Sequence, residues 1–208
     1  MPTYFSLTFE LNKGQGAVGS FCKALIHSGP VFRSGYWGFE NDSFDDIITW
    51  NQDKLDKNFQ LGYTEHYSHD YKQMLFDYFN FSEVRLFVMN SKKRHTFSFE
   101  LIVPEYDLLD YIEERDGTYS VEQKTERMEQ LISVAKKMWI GTDILAVQTG
   151  WEHSNIPPSA GKIAKGIKPQ TEPFCIINSS SFKKEPALTY EYIERNGVLI
   201  KDIKNRNY

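Results

Sequence analysis

A chain of 208 residues with 28 acidic and 24 basic side chains carries a formal net charge of −4, which argues against strong long-range attraction to nucleic acid or to an anionic membrane. No run of about 18 apolar residues occurs, so no membrane-spanning helix is expected. Aromatic residues make up 15% of the chain and can supply a sizeable core for a globular domain.

The first predicted element is a strand with one polar face. Residues 4–11 alternate, and the apolar face would carry Phe5, Leu7, Phe9 and Leu11. This segment lacks the unbroken apolar run of an export signal. The only cysteines, Cys22 and Cys175, lie among apolar neighbours, as reduced core thiols would. We therefore expect a cytoplasmic protein.

A glycine-rich turn follows this strand. Gly14, Gly16 and Gly19 form a G-x-G-x-x-G pattern before a helix that is predicted to end near His27. In dinucleotide-binding domains the same pattern follows a buried parallel strand. An alternating first strand does not fit that setting, so we favour a flexible turn. A nucleotide-dependent enzyme that uses these glycines is an alternative hypothesis.

Two helices are predicted between residues 43 and 79. Ser43 is a suitable N-cap for the first helix, whose apolar positions recur at helical spacing. Thr64 can cap the second, which would carry the stripe Tyr67, Tyr71, Met74, Leu75, Tyr78 and Phe79. His66 and His69 offer a metal two imidazoles, whereas a zinc site needs three or four protein ligands. We expect no metal and no other cofactor.

Residues 83–105 are predicted to form a central hairpin. Its first strand is apolar on both faces and is expected to lie inside a sheet. Its second strand carries Phe97, Phe99, Leu101 and Val103 at a period of two, and Pro104 can end it. The turn between them is basic. Lys92, Lys93 and Arg94 make a nucleic-acid-binding domain a further alternative, which the negative net charge opposes.

The segment after Pro104 is predicted to be a short acidic helix over residues 106–114. Tyr106, Leu109 and Ile112 would face inward. Its outer side is dominated by carboxylates: Glu105, Asp107, Asp110, Glu113, Glu114 and Asp116. Their number and spacing indicate solvated, ionised groups rather than a catalytic acid and base.

The strongest helix signal covers residues 121–140. Ser120 and Gln123 form a capping-box pattern, and one seam of the helix would carry Met128, Ile132, Ala135 and Trp139. A strand over residues 143–149 is expected to return to the sheet.

Prolines and glycines interrupt residues 151–172, where no continuous helix or strand fits. We predict a long mobile loop, a type of segment that often binds partners. A buried strand over residues 174–177 and a hairpin across Arg195, Asn196 and Gly197 are expected to close the chain, because Asn-Gly is a strong hairpin signal.

These elements predict a single α+β domain over residues 1–208, with a mainly antiparallel or mixed sheet packed by three to four amphipathic helices. No catalytic motif is found, so an enzyme is not supported. The preferred hypothesis is a non-enzymatic protein-binding domain, an immunity-type protein of bacteria that neutralises a basic toxin domain. The sequence leaves its oligomeric state open. The residues expected to contact the partner are Glu105, Tyr106, Asp107, Asp110, Tyr111, Glu113, Glu114, Trp151 and His153.

Overall fold

The computed structural model describes residues 3–60, 71–152, 154–186 and 188–202. Its strands are β1 (Tyr4–Asn12), β2 (Val31–Gly35), β3 (Met74–Asp77), β4 (Val84–Asn90), β5 (Thr96–Pro104), β6 (Leu109–Glu113), β7 (Tyr119–Gln123), β8 (Ile144–Trp151), β9 (Phe174–Asn178), β10 (Leu188–Ile193) and β11 (Gly197–Asp202). Its α-helices are α1 (Ala17–His27), α2 (Phe44–Asp56), α3 (Thr125–Gly141) and α4 (Ala160–Ala164).

Nine strands form one sheet in the order β10-β11-β9-β8-β1-β5-β4-β3-β2, and β6 and β7 form a separate two-stranded sheet. Every pairing between these strands is antiparallel. The predicted α+β class is therefore confirmed, and the sheet is antiparallel rather than mixed. The predicted central hairpin is also confirmed, since β4 and β5 are neighbours inside the sheet.

The main core lies between one face of the sheet and helices α1, α2 and α3. Phe5, Leu7 and Phe9 of β1 are fully buried, as their alternation predicts. The ring of Phe21 on α1 stacks on Phe99 of β5 with centroids 4.0 Å apart. Burial of each such large apolar side chain contributes about 1.5 to 3 kcal/mol. Among the described residues no helix is both long and apolar enough to cross a membrane.

A smaller apolar cluster covers part of the opposite face. Ile163 of α4 packs with Cys175 and Ile177 of β9 and with Val198 and Ile200 of β11. The short helix α4 lies within residues 151–172, where the sequence had suggested no helix. Whether the rest of this segment is mobile stays a prediction.

The prediction of a helix over residues 64–79 is wrong where it can be compared. Residues 61–70, which include His66 and His69, lie outside the described residues. Met74–Asp77 form β3, which pairs with both β2 and β4. Met74 and Phe76 are buried in alternation, so cross-strand pairing prevails over the apparent helical spacing of the aromatic residues.

The predicted acidic helix over residues 106–114 is also wrong. A single 3₁₀ turn covers Glu105–Asp107, and the chain then continues as β6. Because β7 pairs with β6, the Ser120 and Gln123 side chains belong to a strand and form no capping box. Helix α3 begins at Thr125, and Lys124 at its N-cap makes no side-chain capping bond. The buried seam predicted for this helix is confirmed at Met128, Ile132, Ala135 and Trp139.

The C-terminal hairpin is confirmed, with a shift of one residue in the turn. Arg195 and Asn196 adopt positive φ values of 56° and 53°, and Gly197 begins β11. Gly197 is required by close packing rather than by the geometry of the turn. A Cβ atom there would lie 2.5 Å from Nε1 of Trp139, which is closer than any side chain can approach.

Candidate functional site

The acidic segment projects from the sheet as a β-hairpin. We call residues 105–123 the acidic hairpin; they carry seven carboxylates and one arginine. Glu114 N–H donates to the carbonyl of Thr118, which closes a short loop in which Gly117 has a φ of 81°. A type I turn followed by a residue with positive φ is a common three-residue hairpin connection. The tip of the hairpin is exposed throughout.

The two faces of the acidic hairpin differ in chemistry. Residues directly opposite each other in an antiparallel pair project to the same face. Tyr111 lies opposite Val121, and Glu113 lies opposite Tyr119, so both tyrosines lie on one face, which we call the aromatic face. Asp110 lies opposite Glu122 on the other face, which is acidic.

Both tyrosines of the aromatic face are exposed. The exposed fraction is 54% for Tyr111 and 58% for Tyr119, and Ile112 on the acidic face is 40% exposed. Tyr106, in the 3₁₀ turn, is 51% exposed. Large side chains with a polar tip and an apolar body are typical anchors of protein–protein contacts.

The root of the acidic hairpin is fixed to the rest of the fold. Lys124 N–H donates to the carbonyl of Leu108 at 2.8 Å, which joins the two ends of the hairpin. The Lys124 ammonium forms an ion pair with Asp110 at 3.1 Å and donates to the carbonyl of Tyr106 at 2.7 Å. The Asp107 carboxylate accepts from the Ser82 hydroxyl at 2.7 Å and from the Ser82 N–H at 2.8 Å.

These contacts divide the carboxylates into structural and free groups. Asp107 and Asp110 hold the root, whereas Tyr111 donates its hydroxyl to Glu105 and Ser120 donates to Glu114. Hydrogen bonds from Thr118 lower the pKa of Asp116, which keeps the tip ionised. The remaining two, Glu113 and Glu122, make no side-chain hydrogen bond or ion pair with another described residue, so they are the groups most available to a partner.

Trp151 lies at the same end of the sheet as the acidic hairpin. It ends β8, opposite Phe5 of β1, and the two ring centroids are 4.8 Å apart. Pro104, which precedes the hairpin, pairs with Tyr4 of the same strand β1. Trp151 is half-buried in this packing and leaves only part of its ring for a partner. His153 lies outside the described residues.

The glycine turn has a structural explanation. Gly16 is the N-cap of α1 with a φ of 71°, a conformation that favours glycine. The Gln52 side chain accepts from the Val18 N–H at 3.0 Å and donates to the Gly14 carbonyl at 3.1 Å. Strand β1 is antiparallel to both of its neighbours. A βαβ nucleotide site requires a parallel arrangement, so this geometry does not favour the nucleotide hypothesis.

The basic turn lies at the other end of the central hairpin. Lys92, Lys93 and Arg94 are exposed between β4 and β5, and Gln60 accepts from the Lys92 N–H at 3.0 Å. Strand β5 separates this turn from the acidic hairpin by roughly 26 Å, at about 3.3 Å per residue. The basic turn and the acidic hairpin therefore lie at opposite ends of β5.

A second candidate site is a cleft on the polar face of the sheet, where β1 and β5 meet. We call it the glutamate cleft; it has a volume of about 200 Å³. Side chains of Thr8, Glu10, Ser98 and Glu100 contribute its polar floor, and residues 156–159 line another side. Glu10 and Glu100 occupy diagonal positions on β1 and β5, so their Cα atoms are roughly 7 to 8 Å apart.

The two carboxyl groups of the glutamate cleft have different surroundings. Glu10 is only 7% exposed, and it accepts a 2.6 Å hydrogen bond from the Ala160 N–H. Glu100 lies between Thr8 and Phe87 and makes no hydrogen bond or ion pair to a described residue. Burial raises the pKa of Glu100 to about 7.

Sequence reasoning did not find this cleft. It assigned Glu10 to a solvated strand face, and the alternation of β5 places Glu100 on the same face. Residues 156–160, which cover the cleft, lie about 60 positions after Glu100 in the sequence. No local sequence pattern predicts that they contact β5. Ile102, an apolar residue on the polar face of β5, was the available signal that this face is partly covered, and it is buried.

The cysteines and the possible metal ligands among the described residues do not form a further candidate site. Cys22 and Cys175 are both buried free thiols whose pKa burial raises, so neither is an activated nucleophile. Within the described ranges no three residues among the histidines, cysteines and carboxylates are grouped as a metal site. Comparison with known proteins finds no matching family model, no similar curated protein and no similar solved structure.

Proposed function

We propose that this protein binds a basic protein partner through the acidic hairpin, and that it acts as a bacterial immunity protein that neutralises a toxin in the cytoplasm. The observation that carries the proposal is the exposure of Tyr111 and Tyr119 on a projecting hairpin that also carries seven carboxylates. Exposed aromatic side chains flanked by charge are more typical of recognition surfaces than of a solvated surface alone.

Two kinds of side chain on the hairpin suit two stages of binding. Free carboxylates attract a basic partner over long distances and can raise the association rate well above the usual 10⁵ to 10⁶ M⁻¹s⁻¹, by roughly tenfold or more. Tyr119 and Tyr111 would then supply the apolar contact that limits dissociation. A stable interface uses about 20 to 30 residues from each partner, whereas the hairpin has 19. We therefore expect the adjoining sheet end, including Trp151, to contribute.

The choice of partner can be tested on a defined protein. Immunity proteins and toxins are expected to be encoded side by side, so the first binding experiment uses the product of the reading frame next to this gene. Its affinity is measured by biolayer interferometry on the purified proteins. Growth of cells producing the neighbouring product, with and without this protein, tests neutralisation. No binding and no growth rescue would contradict the toxin assignment.

The contact surface is tested with the double variant Glu113→Lys/Glu122→Lys. Neither side chain supports the fold by a hydrogen bond or ion pair to a described residue, so folding should be unchanged. We expect association at low salt to slow by about tenfold and to lose its dependence on ionic strength. Glu185→Lys/Glu194→Lys changes the net charge equally elsewhere and serves as the control. Equal slowing by both variants would show that only total charge matters.

The anchoring role is tested separately with Tyr119→Ala. We expect dissociation to accelerate roughly 30-fold, which corresponds to about 2 kcal/mol for a central aromatic contact. Tyr192→Ala is the matched control, because Tyr192 is 62% exposed on the edge strand β10. If Tyr119→Ala leaves the dissociation rate unchanged, the aromatic face of the hairpin is not the contact surface.

A further inference from the structure

The glutamate cleft is built by buried polar groups that hold its wall in place. The Gln148 side chain is 2% exposed; it donates to the Pro158 carbonyl at 2.7 Å and accepts from the Gln170 N–H at 2.9 Å. Glu10 holds the next part of the same segment through the Ala160 N–H. These bonds hold residues 158–160 over the sheet. The cleft is therefore already formed before a ligand binds.

On the floor of the cleft, the carboxyl group of Glu100 makes no hydrogen bond or ion pair to a described residue. Glu100 is only partly exposed, and its oxygens are open to the cleft rather than sealed in the core, so a bound cation can reach them. Glu10 uses one oxygen on the Ala160 N–H, and no bond to a described residue occupies its other oxygen. The cleft therefore offers acceptor oxygens from two carboxyl groups and hydroxyls from Thr8 and Ser98.

We propose that the glutamate cleft binds a small aliphatic amine, with its ammonium group on Glu100. An ammonium group has three donors and a positive charge, which match a carboxylate that lacks both a donor and a counter-charge. A diamine can place its second ammonium group near the free oxygen of Glu10. The alkyl chain would contact the apolar side chains that line the cleft, Met89, Ile156 and Pro157.

Size and charge narrow the ligand class. Pockets for drug-sized ligands have volumes of about 300 to 1,000 Å³, so a cleft of about 200 Å³ excludes a nucleotide and suits a short alkyl amine. A divalent metal is less suited, because the cleft lacks a third carboxylate, histidine or cysteine among the described residues. The cation at the mouth, Arg94, is exposed on a turn, where water and salt screen its charge.

Isothermal titration calorimetry with 1,4-diaminobutane tests the proposal on the purified full chain. We expect saturable binding of one equivalent, and no saturable binding of the neutral analogue 1,4-butanediol. Glu100→Gln keeps the size of the side chain and removes its charge, so it should weaken binding at least tenfold. Glu194→Gln, which removes an exposed carboxylate elsewhere, should leave the affinity unchanged. Equal affinity of the wild type and Glu100→Gln would overturn the proposal.

A second variant blocks the cleft without removing the charge of either glutamate. Ser98→Leu adds volume to the floor of the cleft and leaves both carboxyl groups in place. We expect it to abolish diamine binding while circular dichroism shows an unchanged fold. Retained binding in this variant would place the amine elsewhere. Saturable heat with Ca²⁺ or Mg²⁺ that Glu100→Gln abolishes would identify a metal site instead and would also overturn the proposal.

The pH dependence of binding provides an independent readout. An ammonium ion binds the ionised form of Glu100, whose pKa in the free protein is about 7. The affinity should therefore be about tenfold weaker at pH 6 than at pH 8. The other charged side chains that line the cleft are Glu10 on β1 and Arg94 on the turn. Nearby, Arg85 on β4 pairs with Glu83, and the Lys13 ammonium donates to the carbonyl of Ser91, which lines the cleft. Residues 156–160 contribute no charge. The same affinity at both pH values would show that Glu100 is not the binding group.

Discussion

At the scale of single residues, the protonation of the Glu100 carboxyl group affects the stability of the fold. Its pKa rises from an ordinary value of 4.5 to about 7 because burial disfavours the ionised carboxylate. The folded protein therefore retains a proton between pH 4.5 and 7 that the unfolded chain releases. Stability falls as the pH rises through this window and stays lower above it, by about 3 kcal/mol in total.

Glu100→Gln should remove this penalty. The free energy of unfolding of the variant, relative to the wild type, should increase by about 2 to 3 kcal/mol between pH 5 and pH 8. Urea denaturation at both pH values measures the difference. The exposed carboxylate of Glu194 gives the control, and Glu194→Gln should show no such change. A difference between Glu100→Gln and wild type that is constant with pH would contradict the assigned environment of Glu100.

Trp139 is one of the residues that join α3 to the C-terminal hairpin. It is 4% exposed, and its indole N–H donates to the Glu194 carbonyl at 3.1 Å. Trp139→Ala should lower the free energy of unfolding by about 3 to 5 kcal/mol, because it leaves a large cavity. Trp139→Phe keeps most of the ring and should cost less. Chemical denaturation of the two variants tests this order, and a loss below about 0.5 kcal/mol in Trp139→Ala would place the side chain on the surface.

At the scale of elements, the sequence predicted those whose pattern was unambiguous. Alternating phenylalanines in β1 and β5 fixed both the strands and their buried face. Ser43 and Asp46 form a true capping box at the start of α2. Only the first four residues of the helix predicted over residues 121–140 are not helical, because residues 119–123 form β7 and pair with β6.

The acidic hairpin shows why local patterns can mislead. Tyr106, Leu109 and Ile112 recur every three residues, and this spacing suggested a helix. The Asp116-Gly117 pair was the competing signal, since Asp-Gly is favoured in short hairpin turns. Its left-handed glycine reverses the chain and lets β7 pair with β6. Most of the residues expected to contact a partner were nevertheless brought together, because they are adjacent in sequence.

At the scale of the whole molecule, function depends on contacts that sequence alone does not reveal. The glutamate cleft joins β1, β5 and residues 156–160, which lie far apart along the chain. Strand β5 also separates the acidic hairpin from the basic turn, a separation that follows directly from their positions along the chain. This separation of charge would orient an approaching basic partner toward the hairpin before contact.

The same architecture allows the hairpin to be removed without opening the sheet. Leu109 and Gln123 are directly opposite each other, and the Lys124 N–H donates to the Leu108 carbonyl. Replacing residues 110–122 by two glycines therefore bridges positions that already lie side by side. The nine-stranded sheet contains neither β6 nor β7, and the deletion removes only Val121 from the packing against the main core and the exposed Lys124–Asp110 ion pair, so the shortened protein should retain its fold.

The docking role of the acidic hairpin is tested by the affinity of this shortened protein for the product of the neighbouring reading frame. Circular dichroism and thermal unfolding first establish that the sheet is intact. We predict that the wild type binds this partner and that the shortened protein loses at least 100-fold in affinity, about 2.7 kcal/mol. A folded, shortened protein that binds the partner as tightly as the wild type would contradict the assignment of the acidic hairpin as the docking surface.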